Sequence, residues 1–105
     1  MNEILISGRM TKEPEIRSTS NNRVASFTLA VDRSFKNPKT GETEADFIPC
    51  VVWGSMIDII ERKGHKNSWL VVKGRLQIRN FDAKDGTKHW IAEVVAERIE
   101  FPSGQ

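Results

Sequence analysis

Alternation of apolar and polar side chains limits this chain more than any other feature, because a two-residue period belongs to strands and not to helices. The stretch at residues 47–53, Phe-Ile-Pro-Cys-Val-Val-Trp, organises the rest. Read as a strand, it sends Ile48, Cys50 and Val52 to one side, a compact face suited to a core. Phe47, Pro49, Val51 and Trp53 take the other side, which begins and ends with a large aromatic ring. Neither ring needs to point inward. Spaced aromatics on an outward face form a platform on which unpaired bases can stack.

The same period recurs along the chain. Residues 3–9 form a short first strand, and 12–17 continue as an edge or a bend because Pro14 lacks a ladder donor. After a turn at 18–22, residues 24–32 place Ala25, Phe27, Leu29 and Val31 on one face. Residues 34–44 are a loop of turn formers that carries Phe35. Pro49 predicts a bulge or an unpaired N–H in the strand that follows. The spacing then predicts one short helix, with Ser55 at its N-cap and Asp58 three positions on. Its apolar stripe is Met56, Ile59 and Ile60, with Ile57 at the margin and Gly64 in a left-handed C-terminal position. A long strand at 69–81 has Leu70, Val72, Gly74, Leu76 and Ile78 as its core face, and mixes cations with aromatics on the other. Asp85-Gly86 marks a hairpin tip, 89–95 return as a strand, and 98–101 add a last extended piece. The expected fold is all-β: a five-stranded antiparallel Greek-key barrel with one short helix between strands 3 and 4. That is the order of the OB-fold.

A chain of 105 residues is expected to form one domain, residues 1–101, with a flexible end at 102–105. No apolar run approaches the roughly 18 residues that cross a bilayer, and the N-terminus lacks the charge and apolar block of a signal peptide. A cytoplasmic protein is expected. The single cysteine, Cys50, excludes a disulfide framework and reads as a small buried hydrophobe. The two histidines, His65 and His89, lie at no metal-ligand spacing, and no phosphate loop or nucleophile elbow is present. The chain is therefore expected to be no enzyme and to hold no metal or cofactor. The net charge is only +2, but eight Lys and Arg residues between 62 and 90 face only Asp82 and Asp85. Arg33, Lys36 and Lys39 add a second group within 33–41, where no acid occurs. Concentrated positive charge points to an anionic partner.

These segments resemble the bacterial and bacteriophage single-stranded DNA-binding protein family over nearly the whole chain. The resemblance is carried in order by Ile-Leu-Ile-Ser-Gly-Arg-Met-Thr-Lys-Glu-Pro-Glu-Ile-Arg from residue 4, Val-Ala-Ser-Phe-Thr-Leu-Ala-Val-Asp-Arg-Ser-Phe from 24 and Gly-Glu-Thr-Glu-Ala-Asp-Phe from 41. Val-Val-Trp-Gly from 51, Val-Lys-Gly-Arg-Leu-Gln-Ile-Arg from 72, Asp-Gly-Thr from 85 and Ala-Glu-Val-Val-Ala from 92 complete it. The resemblance implies an OB-fold that binds single strands through four recurring aromatic positions, here Phe35, Phe47, Trp53 and Phe81. Trp90 fits barrel or interface packing as well as ligand contact. Lys36, Lys39, Lys63, Lys73, Arg75, Arg79 and Lys88 are expected to follow the phosphates, with binding that weakens as salt rises.

The expected activity is sequence-nonspecific binding and protection of single-stranded DNA in replication, recombination and repair. The setting would be a bacterial nucleoid, or a phage-infected or plasmid-bearing cell. The resemblance implies a homo-oligomer, tetramer or dimer, although Ile48 stands where some members carry a histidine in subunit contacts. It also implies an acidic C-terminal tip that recruits replication or recombination proteins. The sequence reaches Gln105 without one, so that route is not expected here. The alternative is a primosome-type OB-fold dimer that acts mainly as a protein adaptor and binds DNA weakly.

Overall fold

The computed structural model describes residues 1–102, so residues 103–105 of the expected flexible end lie outside the described residues. Six strands and one helix follow in the order β1 (Ile4–Met10), β2 (Glu15–Ser18), β3 (Arg23–Lys36), β4 (Thr43–Trp53), α1 (Ile57–Lys63), β5 (Trp69–Asp82) and β6 (Lys88–Glu100). They hydrogen-bond in the order β1-β5-β6-β4-β3-β2, and a further β1–β3 pairing at Arg9↔Ala30 and Met10↔Leu29 closes the circuit. Five strands thus form the expected barrel. β2, the Pro14-led segment, lies outside it as a short edge on β3. One seam is parallel rather than antiparallel, where β4 meets β6 at Cys50↔Val94 and Val51↔Val95.

The half-buried strands alternate as their sequences demand. Ala25, Phe27 and Leu29 on β3, Cys50 and Val52 on β4, and Leu70 and Val72 on β5 are all buried. Each large aliphatic side chain among them contributes about 1.5–3 kcal/mol by leaving water. Pro49 introduces no bulge. The β3–β4 register runs unbroken through Thr28↔Pro49, and the irregularity falls instead between Asp32 and Lys36. Thr28 explains why. Its carbonyl accepts from the Thr11 N–H at 3.0 Å, on the side of β3 away from β4. Thr28↔Pro49 is therefore a pair that exchanges no backbone hydrogen bonds, and a missing N–H costs the ladder nothing there.

The helix fills one end of the barrel in a different phase from that expected. A 3₁₀ turn, Gly54–Met56, precedes it, and no side chain caps it, Ser55 included. That turn rotates Ile57 inward, so Ile57 and Ile60 are fully buried while Met56 and Ile59 are only partly covered. Arg23 on β3 ties the helix down by donating to Glu61 Oε1 at 2.7 Å. Gly64 has φ −87° and ψ 109°, not the left-handed conformation expected of it. It is glycine for lack of room: a Cβ there would lie 2.6 Å from the Ile60 carbonyl oxygen.

β5 and β6 outrun the barrel. Their antiparallel ladder continues to Asp82↔Lys88, past the point where β1 stops pairing at Gly74. Leu76 and Ile78, expected in the core, are exposed for this reason. The stretch at 98–101 is largely the end of β6, joined to it across a register shift at Lys73/Gly74. No helix among the described residues is long and apolar enough to cross a membrane.

Candidate nucleic-acid interface

Cross-strand partners share a face, so register alone shows which side chains lie together. On β4 the outward row is Phe47, Pro49, Val51 and Trp53, spanning about 20 Å at two residues per repeat. Val51↔Val95 continues that face onto β6 as Val95, Glu93, Ile91 and His89. The β5–β6 pairs carry it to Arg75, Gln77, Arg79 and Phe81. Phe47, Trp53, Phe81, Arg75 and Arg79 therefore lie on one continuous outer surface. Phe47 is 67% exposed, Trp53 51% and Phe81 41%. These rings contribute little to the core.

Two adjoining depressions share Ser26, Val51, Arg79 and Glu93, and together make one groove across this surface. Trp53 and Gln77 line one end, while Thr28, Pro49 and Ile91 line the other. Its floor holds a feature the sequence reading missed. Glu93 is only 4% exposed, and its Oε1 accepts from Arg79 Nε at 3.2 Å and from Gln77 Nε2 at 3.3 Å. The signal was available. Counting outward from the Asp-Gly turn sets Gln77 opposite Glu93 and Phe81 opposite His89.

Phe81 stacks on His89, with centroids 5.5 Å apart and planes inclined by 21°. His89 is fixed in turn by a 2.8 Å hydrogen bond between its Nε2 and Thr87 Oγ1. His65 lies elsewhere, its Nδ1 3.2 Å from Glu13 Oε1. The backbone N–H of Lys66 also donates to that carboxylate and, as the larger cause, holds Glu13 below the usual glutamate value.

Phe35 is the most exposed of the four aromatics, at 81%, and sits on the β3–β4 arm. It lines a separate hollow with Lys36, Lys39, Arg33 and Glu44. Of the cations on this arm, which the local sequence shows without an acid, Arg33 is opposed. Arg33 donates to Asp46 Oδ1 at 2.8 Å and to Glu44 Oε2 at 3.1 Å, both from β4. Hydrogen bonding to Asp46 holds the Arg33 guanidinium above, and the Asp46 carboxyl below, their ordinary values. Lys36 and Lys39 form no ion pair among the described residues.

The other predicted cations are scattered. Lys73 pairs with Glu3 at 3.4 Å and lines a different recess, with Leu5, Val71 and Arg98. Lys63 ends α1, and Lys88 is the register partner of Asp82 in the β5–β6 ladder, on the face opposite Phe81. Arg75 donates to Gln77 Oε1 at 3.2 Å and stays on the groove side. Trp90 is exposed on the reverse face of the ribbon, together with Leu76 and Ile78.

Comparison with known proteins agrees with this geometry. Residues 1–102 match the profile of the Single-strand binding protein family. A protein of Clostridium acetobutylicum called single-stranded DNA-binding protein 3 is 48% identical over 103 residues, covering 96% of this chain and 70% of that protein. The single-stranded DNA-binding protein of Bacillus cereus is 45% identical over 102 residues, covering 96% of this chain and 59% of that protein. Among solved structures, a Plasmodium falciparum SSB complex with ssDNA superposes with a TM-score of 0.86 at 24% identity, covering 98% of this chain and 96% of that one. That likeness identifies the fold. With relatives this similar and a profile match across every described residue, the chain belongs to the single-strand binding protein family.

Proposed function

We propose that this protein coats single-stranded DNA without sequence preference, holding it open during replication, recombination and repair. One observation carries the reading: Phe47, Trp53 and Phe81 lie exposed on a single outer face beside Arg75 and Arg79. Every base has a π-face, so each ring that stacks contributes roughly 1–3 kcal/mol whatever the sequence. Phe35 extends the platform onto the β3–β4 arm, where Lys36 and Lys39 follow the phosphates together with Arg75. Lys63, Lys73 and Lys88 stay off this path. Duplex DNA is excluded because its paired bases cannot offer their faces. The unit responsible is residues 1–101, acting in the bacterial cytoplasm.

The role is binding, not catalysis. Self-association into a dimer or tetramer belongs to the same proposal. β1 pairs with β5 along its length but meets β3 only at Arg9 and Met10, so its other edge is open from Ile4 to Ser7. An open edge invites a second copy. Leu76, Ile78 and Trp90, together on the reverse face of the ribbon, are exposed apolar groups for a further copy to cover.

Titration with oligo-dT tests the reading. Tryptophan emission is expected to be quenched, with an affinity that falls as salt is added. Unchanged emission and no mobility shift at low salt would overturn it.

A further inference from the structure

We infer that Arg79, rather than following a phosphate, meets an unpaired base in the groove, and that Glu93 is the residue that holds it there. This rests on the single-strand-binding reading above and assigns the strand's orientation within it. Arg79 is tied through Nε to a carboxylate that is itself almost wholly buried, while about half of the arginine side chain remains open to the groove. Glu93 is covered on almost all sides, and Gln77 binds the same oxygen. The pair is close to neutral. A phosphate drawn to it gains little, because the carboxylate beneath already compensates the guanidinium charge.

A base gains more. The guanidinium is planar, and its Nε edge is fixed, so it offers a ready stacking plane and two free Nη donors. It shares its groove with Val51 and Trp53, one apolar and one aromatic. Bases thus lie inward across the middle of the groove, and the phosphates run where cations lack a carboxylate beneath them, at Lys36 and Lys39. Glu93 is a positioning residue in this arrangement. Its removal frees Arg79 to behave as an ordinary cation.

Counterion release separates the two roles, since each phosphate contact adds about 0.7 to the slope of log affinity against log salt for a single strand. Binding of oligo-dT is measured over a salt series for the wild type, Arg79→Gln, Arg79→Lys and Glu93→Gln, with thermal melts to confirm folding. Both Arg79 variants are expected to bind at least about fivefold more weakly with an unchanged slope, because lysine keeps the charge but not the plane. Glu93→Gln is expected to steepen the slope by about 0.7, the reverse of what a damaged groove would do. If Arg79→Gln lowers the slope and Arg79→Lys restores full affinity, the contact is to phosphate and the inference fails. A Glu93→Gln slope equal to that of the wild type overturns the positioning role. Failure of the wild type itself to bind oligo-dT would sink the coat reading, a result distinct from either of these.

Discussion

Phe81 lies against the imidazole of His89 across the β5–β6 ribbon, 5.5 Å between centroids, so one of its two faces is already occupied. A base can use only the other. Phe81→Ala is expected to weaken oligo-dT binding by roughly 1–3 kcal/mol, the range for one stacked base. His89→Ala should weaken it less, since it removes only the support beneath the ring. The double variant should cost less than the sum of the two, because the residues are in contact. Fluorescence titration of the three variants checks this, and strict additivity would mean that His89 does not set the ring's position.

Phe47 and Trp53 mark the ends of the outward row on β4, and both expose more than half their surface. Their replacement by alanine separates binding from folding. Each substitution is expected to reduce affinity by roughly 1–3 kcal/mol. Stability should change by about 1 kcal/mol or less, since neither ring fills the core. Urea melts alongside gel shifts give both quantities. A variant that lost several kcal/mol of stability would show the rings packing structure instead of facing a ligand.

Arg33 looks like part of a basic patch in the sequence, but Asp46 and Glu44 hold it. Arg33→Gln should therefore leave the salt dependence of binding unchanged. Replacing both partners, Asp46→Asn with Glu44→Gln, should steepen it by about 0.7, as one more cation becomes available to phosphate. The pair also responds to acid. Arg33 lowers the Asp46 carboxyl below its ordinary 3.8, so its stabilisation is full above that value and lost as pH falls through the lowered one. Asp46→Asn should remove that part of the acid sensitivity, read by melts at descending pH.

How much of this was legible follows from where each signal resides. Alternation on β3 and β4 gave the correct inward and outward faces because both strands are half buried over most of their length. The same rule failed at Leu76 and Ile78, since nothing in a period of two reveals where β1 stops covering β5. Ile57 was misplaced by a 3₁₀ turn, which shifts the helical phase without a composition cue. Glu93 was missed and Arg33 misjudged for a shared reason: their partners lie 14 and 13 positions away and meet them only across paired strands. Charge counted along a chain misses neutralisation across a sheet.

Cys50 offers a test of the barrel's closure that does not involve DNA. It lies beside the parallel β4–β6 seam at Cys50↔Val94, is 1% exposed, and burial pushes its thiol from the ordinary 9.0 up to about 12. The folded protein keeps this proton where the unfolded chain releases it. Stability linked to Cys50 should thus be constant below about pH 9 and decline as pH rises through about 12. Lysine and arginine also influence stability in this range, so the useful quantity is the difference between wild type and Cys50→Ala. Below pH 9 the alanine variant should be less stable by about 1–2 kcal/mol, from lost packing. The gap should narrow at higher pH. A thiol reagent at pH 8 should label Cys50 only as fast as the barrel opens, and rapid labelling of the native protein would show that the seam is not closed around it.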